Sequence, residues 1–252
     1  MAPGSGGTIV PMHDVARRAR PDLRMLQERH ERLLTRLRER ASGAGHDPGR
    51  VRIVAVTKTH PIDVVRAAAA AGITLLGESR VQEAEPKIAA VPDAEWHFIG
   101  RLQANKVRRA VRAVAAIHSV DSIELLERVD RIAGEEGRQP RVLLEVNVTG
   151  EHSKAGFAPA DLERVRAPHH APLVGLMTIA PLGAAPEEAS GAFRRLRGLR
   201  DELEQRLGVS LPELSMGMSA DADVAAAEGA TLIRIGTALF GPRSATLVSS
   251  PP

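Results

Sequence analysis

The 252-residue chain contains no cysteine and no tyrosine, and aromatic residues make up only 2% of it. The missing cysteine excludes disulfides, thiol catalysis and metal sites built on thiolates. The missing tyrosine excludes any mechanism in which a phenol transfers the proton. Hydrophobic residues still amount to 43% of the chain, so a core can form, packed from valine, leucine, isoleucine and alanine.

The chain also lacks a strong charge of either sign, because 34 basic residues oppose 31 acidic ones. The charges are interspersed along the predicted helices without a basic block, so we expect solvated helix faces and no nucleic-acid partner. No apolar run reaches the length of a membrane span, and the start of the chain, 1–11, lacks the apolar segment of a secretory signal. We therefore expect a cytoplasmic protein without a membrane partner.

Strand and helix patterns alternate along the chain. The sequence predicts strands at 51–57, 73–76, 95–99, 116–120, 141–148, 173–179, 213–216 and 231–235. It predicts helices at 14–41 (broken near Pro21), 61–71, 79–90, 102–114, 122–136, 159–165, 186–207 and 220–228. This alternation favours a parallel sheet, and eight units suit a closed (β/α)8 TIM barrel, with a doubly wound open sheet as the alternative. We predict one barrel over 13–242, a disordered N-terminus, 1–12, and a flexible tail, 243–252.

Lysine is scarce in this sequence, with only four residues: Lys58, Lys87, Lys106 and Lys154. Lys58 ends the first predicted strand, where functional residues of a barrel are expected. A lysine can lose its proton when desolvated and become a nucleophilic amine, whereas an arginine effectively cannot. The alternative is an ordinary cation that leaves the core at a strand end.

Two segments near the end of the chain have the composition of an anion site. Ser215–Ser219 and Arg234–Thr237 each end a strand and offer hydroxyls and backbone N–H groups. Phosphate sites in barrels favour the loops after the last two strands, although glycine and serine are common at such turns. A phosphate cradle near Lys58 suggests a phosphorylated aldehyde held as a Schiff base, and pyridoxal 5′-phosphate (PLP) fits this description.

Several segments also resemble one known family, in the same order along the chain from about residue 50 to 241. They are Val-Ala-Val-Thr-Lys58, Gly77–Glu83, Trp96–Lys106, Gly175-Leu176-Met177, Ser215–Ser219 and Arg234–Gly241. Together these segments resemble the YggS/PROSC family, the pyridoxal phosphate homeostasis proteins. Trp-His-Phe-Ile-Gly and Ser-Met-Gly-Met-Ser are its most specific motifs.

The resemblance implies a barrel of the alanine racemase N-terminal type, with an extra N-terminal helix and PLP linked to Lys58. It further implies a set of residues that hold the phosphate: Ser219, Gly236, Thr237 and the turn Ser215-Met216-Gly217. Arg234 is expected to face the pyridine nitrogen. The family usually has asparagine at the position of Ser79, and the shorter serine leaves a water to bridge to the cofactor.

The function implied by the resemblance is intracellular PLP homeostasis, meaning storage, buffering or delivery with little or no turnover. Its expected partners are PLP and apo forms of PLP-dependent enzymes, and we expect a monomer. The alternative is a PLP-dependent amino-acid racemase or decarboxylase. The carrier is favoured because related racemases use a tyrosine from an added domain, and because a barrel mouth open to water suits cofactor exchange.

We expect structural roles, and no part in binding or catalysis, for most of the remaining candidates. We expect His97 to be a satisfied residue inside the barrel or at its rim, and we predict no metal site at His169-His170. Lys106, Arg108 and Arg109 are expected on a solvated helix face. Lys154 matches a family segment near the mouth, but no role follows from the sequence.

Overall fold

The computed structural model describes residues 22–151, 155–181 and 183–241. In it, parallel strands pair in chain order and close on themselves, with the first strand beside the eighth. The strands are β1 (Arg52–Val56), β2 (Leu75–Glu78), β3 (Glu95–Phe98), β4 (Ala116–Val120), β5 (Arg141–Glu145), β6 (Leu173–Met177), β7 (Glu213–Ser215) and β8 (Leu232–Ile235). The prediction of a TIM barrel is confirmed, and the open sheet is wrong.

Helices cover the outside of the barrel. They are α1 (Leu23–Gly43), α2 (Ile62–Ala70), α3 (Val81–Ala90), α4 (Val107–Ala113), α5 (Ile123–Glu136), α6 (Pro186–Leu207), α7 (Ala222–Ala227) and α8 (Thr237–Phe240). Short 3₁₀ helices lie at Pro48–Arg50, Ala104–Lys106 and Pro159–Arg164, the last of them where the sequence predicted an α-helix. The predicted N-terminal disorder, the helical piece before Pro21 and the tail after 242 lie outside the described residues.

Local signals in the sequence explain where the longer helices begin and end. The Ser122 hydroxyl accepts the N–H of Leu125 at 3.2 Å and caps α5, so of the two predicted caps the serine is the one used. Helix α5 ends at Gly137 and α6 at Gly208, both in the left-handed conformation that glycine adopts without steric cost.

Helix α1 is the predicted extra helix, and it packs mainly against α7. Leu26 and Leu37 on the inner face of α1 are buried, whereas Leu23, on the same predicted apolar face, is 46% exposed. No helix in the described part of the chain combines the length and apolar composition needed to cross a bilayer.

Strand alternation divides the core into two layers. Val54, Leu143, Met177 and Leu232 form a small cluster inside the barrel. Their strand neighbours, such as Ile53, Ala55 and Ile233, belong to the large layer between strands and helices. Because successive side chains of a strand point to opposite faces, each barrel position belongs to one layer or the other.

Candidate functional site

The carboxyl ends of all the strands meet at one end of the barrel, which we call the mouth. Lys58 lies there, two residues beyond β1, and it is half-buried. The side chain of Val54 lies inside the barrel, and the alternation of the strand, continued past Val56, predicts the same side for Lys58.

The closure of the barrel brings the last loop to the same corner. β1 and β8 pair with Ala55 opposite Ile235. One residue further on, a Cβ built on Gly236 would lie 3.5 Å from the carbonyl oxygen of Val56. This is an ordinary van der Waals distance, so the last loop lies against the backbone that leads to Lys58.

The two predicted anion-binding segments are in contact with each other. The N–H of Ala238 points to the Ser219 hydroxyl at 3.4 Å, which joins the loop after β7 to the start of α8. Ser219 and Thr237 are both exposed at the mouth. Gly217 has a φ of +85°, and a Cβ there would lie 2.4 Å from the Ala225 methyl group, so the turn requires glycine.

Met216 contributes to this turn through its backbone. Its side chain is fully buried in the outer layer, and its N–H donates to the carbonyl of Leu232 at 3.1 Å. Ser215 lies one residue earlier and has the opposite parity, with its hydroxyl inside the barrel. The side chains of Ser215 and Met216 therefore lie on opposite sides of the barrel wall, and Gly217 forms the turn.

Arg234 is a buried cation inside the barrel, with only 5% of its surface exposed. Its guanidinium donates to the Ser215 hydroxyl at 2.6 Å and to the carbonyl of Thr178 at 2.8 Å. Burial lowers the pKa of Arg234 to about 10, and the carboxylates of Asp221 and Glu145 oppose this shift. The side chain therefore stays charged at neutral pH.

A chain of hydrogen bonds continues from Ser215 across the barrel interior. His118 Nδ1 lies 2.8 Å from Ser215 Oγ, and His118 Nε2 lies 2.8 Å from His97 Nδ1. His97 Nε2 in turn lies 2.8 Å from a carboxylate oxygen of Glu95. We call Ser215, His118, His97 and Glu95 the histidine chain. The expectation that His97 is a satisfied residue inside the barrel is confirmed.

Burial governs the ionisation of the histidine chain. Burial lowers the pKa of His97, against the hydrogen bond that His97 donates to Glu95, and it lowers the pKa of His118 well below the ordinary value. At its far end, hydrogen bonds from His97 and Arg141 hold the pKa of Glu95 at about 2. Both imidazoles are therefore neutral and the carboxyl group is ionised at neutral pH.

A second polar cluster lies behind Lys58, in the outer layer. Lys87 donates to Glu78 at 2.6 Å and to the carbonyl of Thr57 at 2.8 Å, and the Thr57 hydroxyl donates to the same carboxylate oxygen at 2.6 Å. The side chains of Lys87 and Glu78 are 6% and 0% exposed. We call Glu78 and Lys87 the outer ion pair.

The residue after Lys58 has an unusual backbone conformation. Thr59 has a φ of +67°, a left-handed conformation that is unfavourable for a β-branched residue. Its N–H donates to Glu83 at 3.0 Å, and this hydrogen bond is the main cause that lowers the pKa of Glu83. The backbone on both sides of Lys58 is thus held by side chains of the segment that follows β2.

Ser79 follows β2 at the mouth and is half-buried. A Cβ on Gly100 would lie 2.3 Å from the Ser79 carbonyl oxygen, so the loop after β3 packs directly on this serine. Two acidic residues complete the rim, Asp121 after β4 and Glu145 at the end of β5. Burial and the Asp121 charge raise the pKa of Glu145.

The other predicted candidates lie away from the mouth. The His170 N–H donates to Asp130 at 2.6 Å, and no group of histidine and acidic residues suited to a metal ion occurs in the described ranges. Arg108 pairs with Glu135 and Glu136, and Arg109 pairs with Glu85, as expected of a solvated face. Lys154 lies outside the described residues.

Sequence reasoning did not name His118 as a candidate. A histidine within the aliphatic strand 116–120, at an inward position, is the signal that could have identified it. In the sequence, Glu78 stands out only as part of the Gly77–Glu83 motif and Lys87 only as one of four lysines. Nothing in their spacing shows that they pair behind Lys58.

The family model of the alanine racemase N-terminal domain matches residues 31–244. A pyridoxal phosphate homeostasis protein from Aquifex aeolicus is 43% identical over 223 residues, covering 86% of this chain and 97% of the relative. One from Pseudomonas aeruginosa is 43% identical over 225 residues, covering 86% and 96%.

Two solved structures of PipY from Synechococcus elongatus PCC7942 cover 81% of this chain and 100% of their own. The structure without PLP gives a TM-score of 0.74 at 46% identity, and the structure with PLP bound gives 0.72 at 45%. Alanine racemase from Streptomyces coelicolor A3(2) gives 0.68 at 26% identity, with 87% of this chain and 58% of the racemase covered.

Proposed function

The chain belongs to the alanine racemase N-terminal domain family, among its pyridoxal phosphate homeostasis proteins, and on this premise we propose that it binds PLP at the barrel mouth. We further propose that it stores, buffers or delivers the cofactor in the cytoplasm as a monomer. Its partners would be PLP and apo forms of PLP-dependent enzymes.

The groups at the mouth fit this cofactor. When bound, PLP supplies an aldehyde that condenses with an amine, and a phosphate that needs hydrogen-bond donors. Lys58 offers the amine, and the hydroxyls of Ser219 and Thr237 lie beside the Gly236 turn. The buried Arg234 offers a cation inside the barrel, below the mouth.

Each residue then has a distinct role in holding the cofactor. Lys58 would attach it as a Schiff base, a condensation in which a C=N bond replaces the aldehyde C=O bond and the aldehyde oxygen leaves as water with two hydrogens of the amine. Ser219, Gly236 and Thr237 bind the phosphate together with the turn at Met216 and Gly217, and Arg234 faces the pyridine nitrogen. Ser79 contacts the cofactor through a water.

One observation carries the proposal: the close approach of Gly236 to Val56, where a Cβ would lie 3.5 Å from the carbonyl oxygen. This approach brings the loop after β8 against the backbone that leads to Lys58. An amine and a phosphate cradle would be of no combined use if they lay on opposite sides of the mouth. The approach of Gly236 to Val56 supports the proposal that they share one corner.

Attachment to Lys58 is tested on the purified protein loaded with PLP. Borohydride reduction followed by peptide mass spectrometry is expected to place the phosphopyridoxyl group on Lys58. Lys58→Ala is expected to abolish the visible absorption band, while the matched variant Lys106→Ala keeps it. A modified lysine elsewhere, or a band that persists in Lys58→Ala, would contradict the assignment.

The carrier is separated from a racemase or decarboxylase by turnover. The holoprotein is incubated with single enantiomers of amino acids in deuterated water, and α-proton exchange and carbon dioxide release are followed. We expect neither to proceed at enzyme-like rates. Delivery is tested by adding an apo PLP-dependent enzyme, whose activity should return faster with the wild-type holoprotein than with Lys58→Ala mixed with the same total PLP.

A further inference from the structure

The histidine chain connects Arg234 to the opposite end of the barrel through residues of several strands. Arg234 and Ser215 belong to β8 and β7, His118 belongs to β4, and His97 and Glu95 belong to β3. His97, His118 and Ser215 are each at most 1% exposed. A line of buried polar residues is costly unless every member is paired, so its hydrogen-bond directions can be worked out.

The carboxylate of Glu95 fixes the direction of the last bond, because it can only accept, so His97 carries its hydrogen on Nε2. A neutral His97 then accepts at Nδ1 from His118 Nε2, and a neutral His118 accepts at Nδ1 from the Ser215 hydroxyl. At the other end a guanidinium can only donate, so the Ser215 oxygen accepts from Arg234. Arg141 lies 3.4 Å from His97 Nε2 and donates to the same Glu95 carboxylate.

Neutral imidazoles give every hydrogen of this chain an acceptor within it. A cationic His118 would have hydrogens on both nitrogens, and the Nδ1 hydrogen would meet the Ser215 hydroxyl that already accepts from Arg234. The serine hydrogen would then lose its acceptor within the chain. Repulsion by Arg234 also lowers the pKa of His118, in agreement with this geometry.

We propose that His118 and His97 are positioning residues for Arg234, and that they act through Ser215 to hold the guanidinium in place beneath the bound cofactor. This inference rests on the proposed binding of PLP at the mouth. The chain of donors keeps the Ser215 oxygen available as an acceptor for Arg234. Arg234 then keeps its hydrogen bonds to Ser215 and to the carbonyl of Thr178 below the mouth.

Two carboxylates compete with Ser215 for the guanidinium of Arg234. They are Glu145 at the rim and Asp221 after β7, and both attract its charge. If Ser215 no longer accepts, one N–H of Arg234 loses its partner, and the guanidinium is drawn towards these carboxylates. A cation displaced from the pyridine nitrogen changes the electronic state of the bound cofactor and weakens its binding.

The first test uses the protein without PLP. Two-bond ¹H–¹⁵N correlation spectra of the imidazoles are expected to show His97 and His118 as neutral, with the hydrogen on Nε2, at neutral pH. Ser215→Ala is expected to change the His118 signals and leave His169 unchanged. A cationic His118, or hydrogen on its Nδ1, would overturn the proposed chain.

The second test uses the protein loaded with PLP. Ser215→Ala and His118→Gln are expected to shift the visible absorption band and its pH dependence and to weaken PLP binding by about tenfold. Ser119→Ala removes another buried hydroxyl of the barrel, bonded to the Gly100 carbonyl, and is expected to leave the band in place. Urea unfolding of all three variants measures any loss of stability.

The outcomes are distinguishable. If the variants lose stability but retain PLP with an unmoved band and unchanged affinity, the histidine chain is only structural and the inference is wrong. If the wild-type protein binds no PLP, the proposed function is wrong and this inference fails with it. In that second case the imidazole spectra still report on the chain itself.

Discussion

Lys87 and Arg234 are both buried cations near the mouth, but they lie on opposite sides of the barrel wall and are neutralised differently. Lys87 lies outside the wall and meets an ionised partner, Glu78, at 2.6 Å. Arg234 lies inside it and is bonded to a hydroxyl and a carbonyl, with its carboxylate neighbours at the rim. The first arrangement is a compact ion pair, and the second is a cation supported by a long neutral chain.

This difference matches what each cation does. Lys87 of the outer ion pair donates to the backbone carbonyl of Thr57, next to Lys58, so the pair holds this segment of backbone in place. Arg234 keeps its charge available to the barrel interior, because no carboxylate forms an ion pair with it among the described residues. A buried cation that must act on a ligand is thus better held by neutral acceptors than by an opposite charge.

The largest expected effect comes from breaking the outer ion pair. Lys87→Met leaves the Glu78 carboxylate buried without its cation, and we expect a loss of about 3–5 kcal/mol in the free energy of unfolding. Urea denaturation of the protein without PLP measures it. Lys106→Met serves as the control, since a change at this less buried lysine is expected to cost less than about 0.5 kcal/mol.

A double variant sharpens this prediction. Lys87→Met combined with Glu78→Gln removes both charges and should recover part of the lost stability, because the orphaned carboxylate is gone. If the two losses simply add, the pair does not couple and its assigned role is wrong.

The second effect is a pH dependence that belongs to the histidine chain. The pKa values of His97 and His118 are lowered in the folded protein, so below the ordinary value near 6.5 the unfolded chain binds more protons. Stability is therefore fully present above that pH and falls as the pH drops, by up to about 1.4 kcal/mol per pH unit for each imidazole. Urea unfolding at several pH values measures the slope.

His118→Gln isolates the contribution of the chain to this slope. The variant removes one titrating group, so its stability should depend less steeply on pH between about 6.5 and 5. His169→Gln, in an exposed loop, is the matched control and should keep the wild-type slope. Equal slopes for wild type and His118→Gln would contradict the assignment of a neutral buried imidazole.

A third change acts on the backbone beside Arg234. The Arg234 N–H donates to the carbonyl of Gly217 at 3.1 Å, and Gly217→Ala forces a methyl group into Ala225 at a positive φ. We expect a loss of about 2 kcal/mol in stability together with weaker PLP retention, measured by urea unfolding and by dialysis of the loaded protein. Gly191→Ala, in open space within α6, should be neutral or slightly stabilising.

The smallest effect tests the strained residue beside Lys58. Thr59→Gly removes the cost of a β-branched residue at a φ of +67° and should stabilise the protein by up to about 1 kcal/mol, measured by thermal unfolding. Thr35→Gly, within α1, should destabilise it instead, since glycine is unfavourable inside a helix. A destabilised Thr59→Gly would mean that the threonine side chain has a favourable contact that outweighs the strain.

Much of the fold was predictable because its signals are local. The alternation of strand and helix patterns follows from hydrophobic period, which predicts seven of the strand starts to within one residue, all but that of β2. The misplaced bounds lie at loops: β5 ends at Glu145 rather than 148, and residues 159–164 form a 3₁₀ helix. The end of β5 at Glu145 has no glycine or proline within the next four residues to mark it in the sequence.

The sequence by itself determined the barrel and the family, and it led us to propose Lys58 as the amine, because hydrophobic period, motif spacing and the scarcity of lysine are all properties of the linear chain. The tertiary structure decided which polar groups meet. Glu78 and Lys87 pair because α3 folds back on β2, and His118 reaches Ser215 because the closed barrel brings β4 across to β7. Such partnerships between distant residues depend on closure, and closure has no local signature.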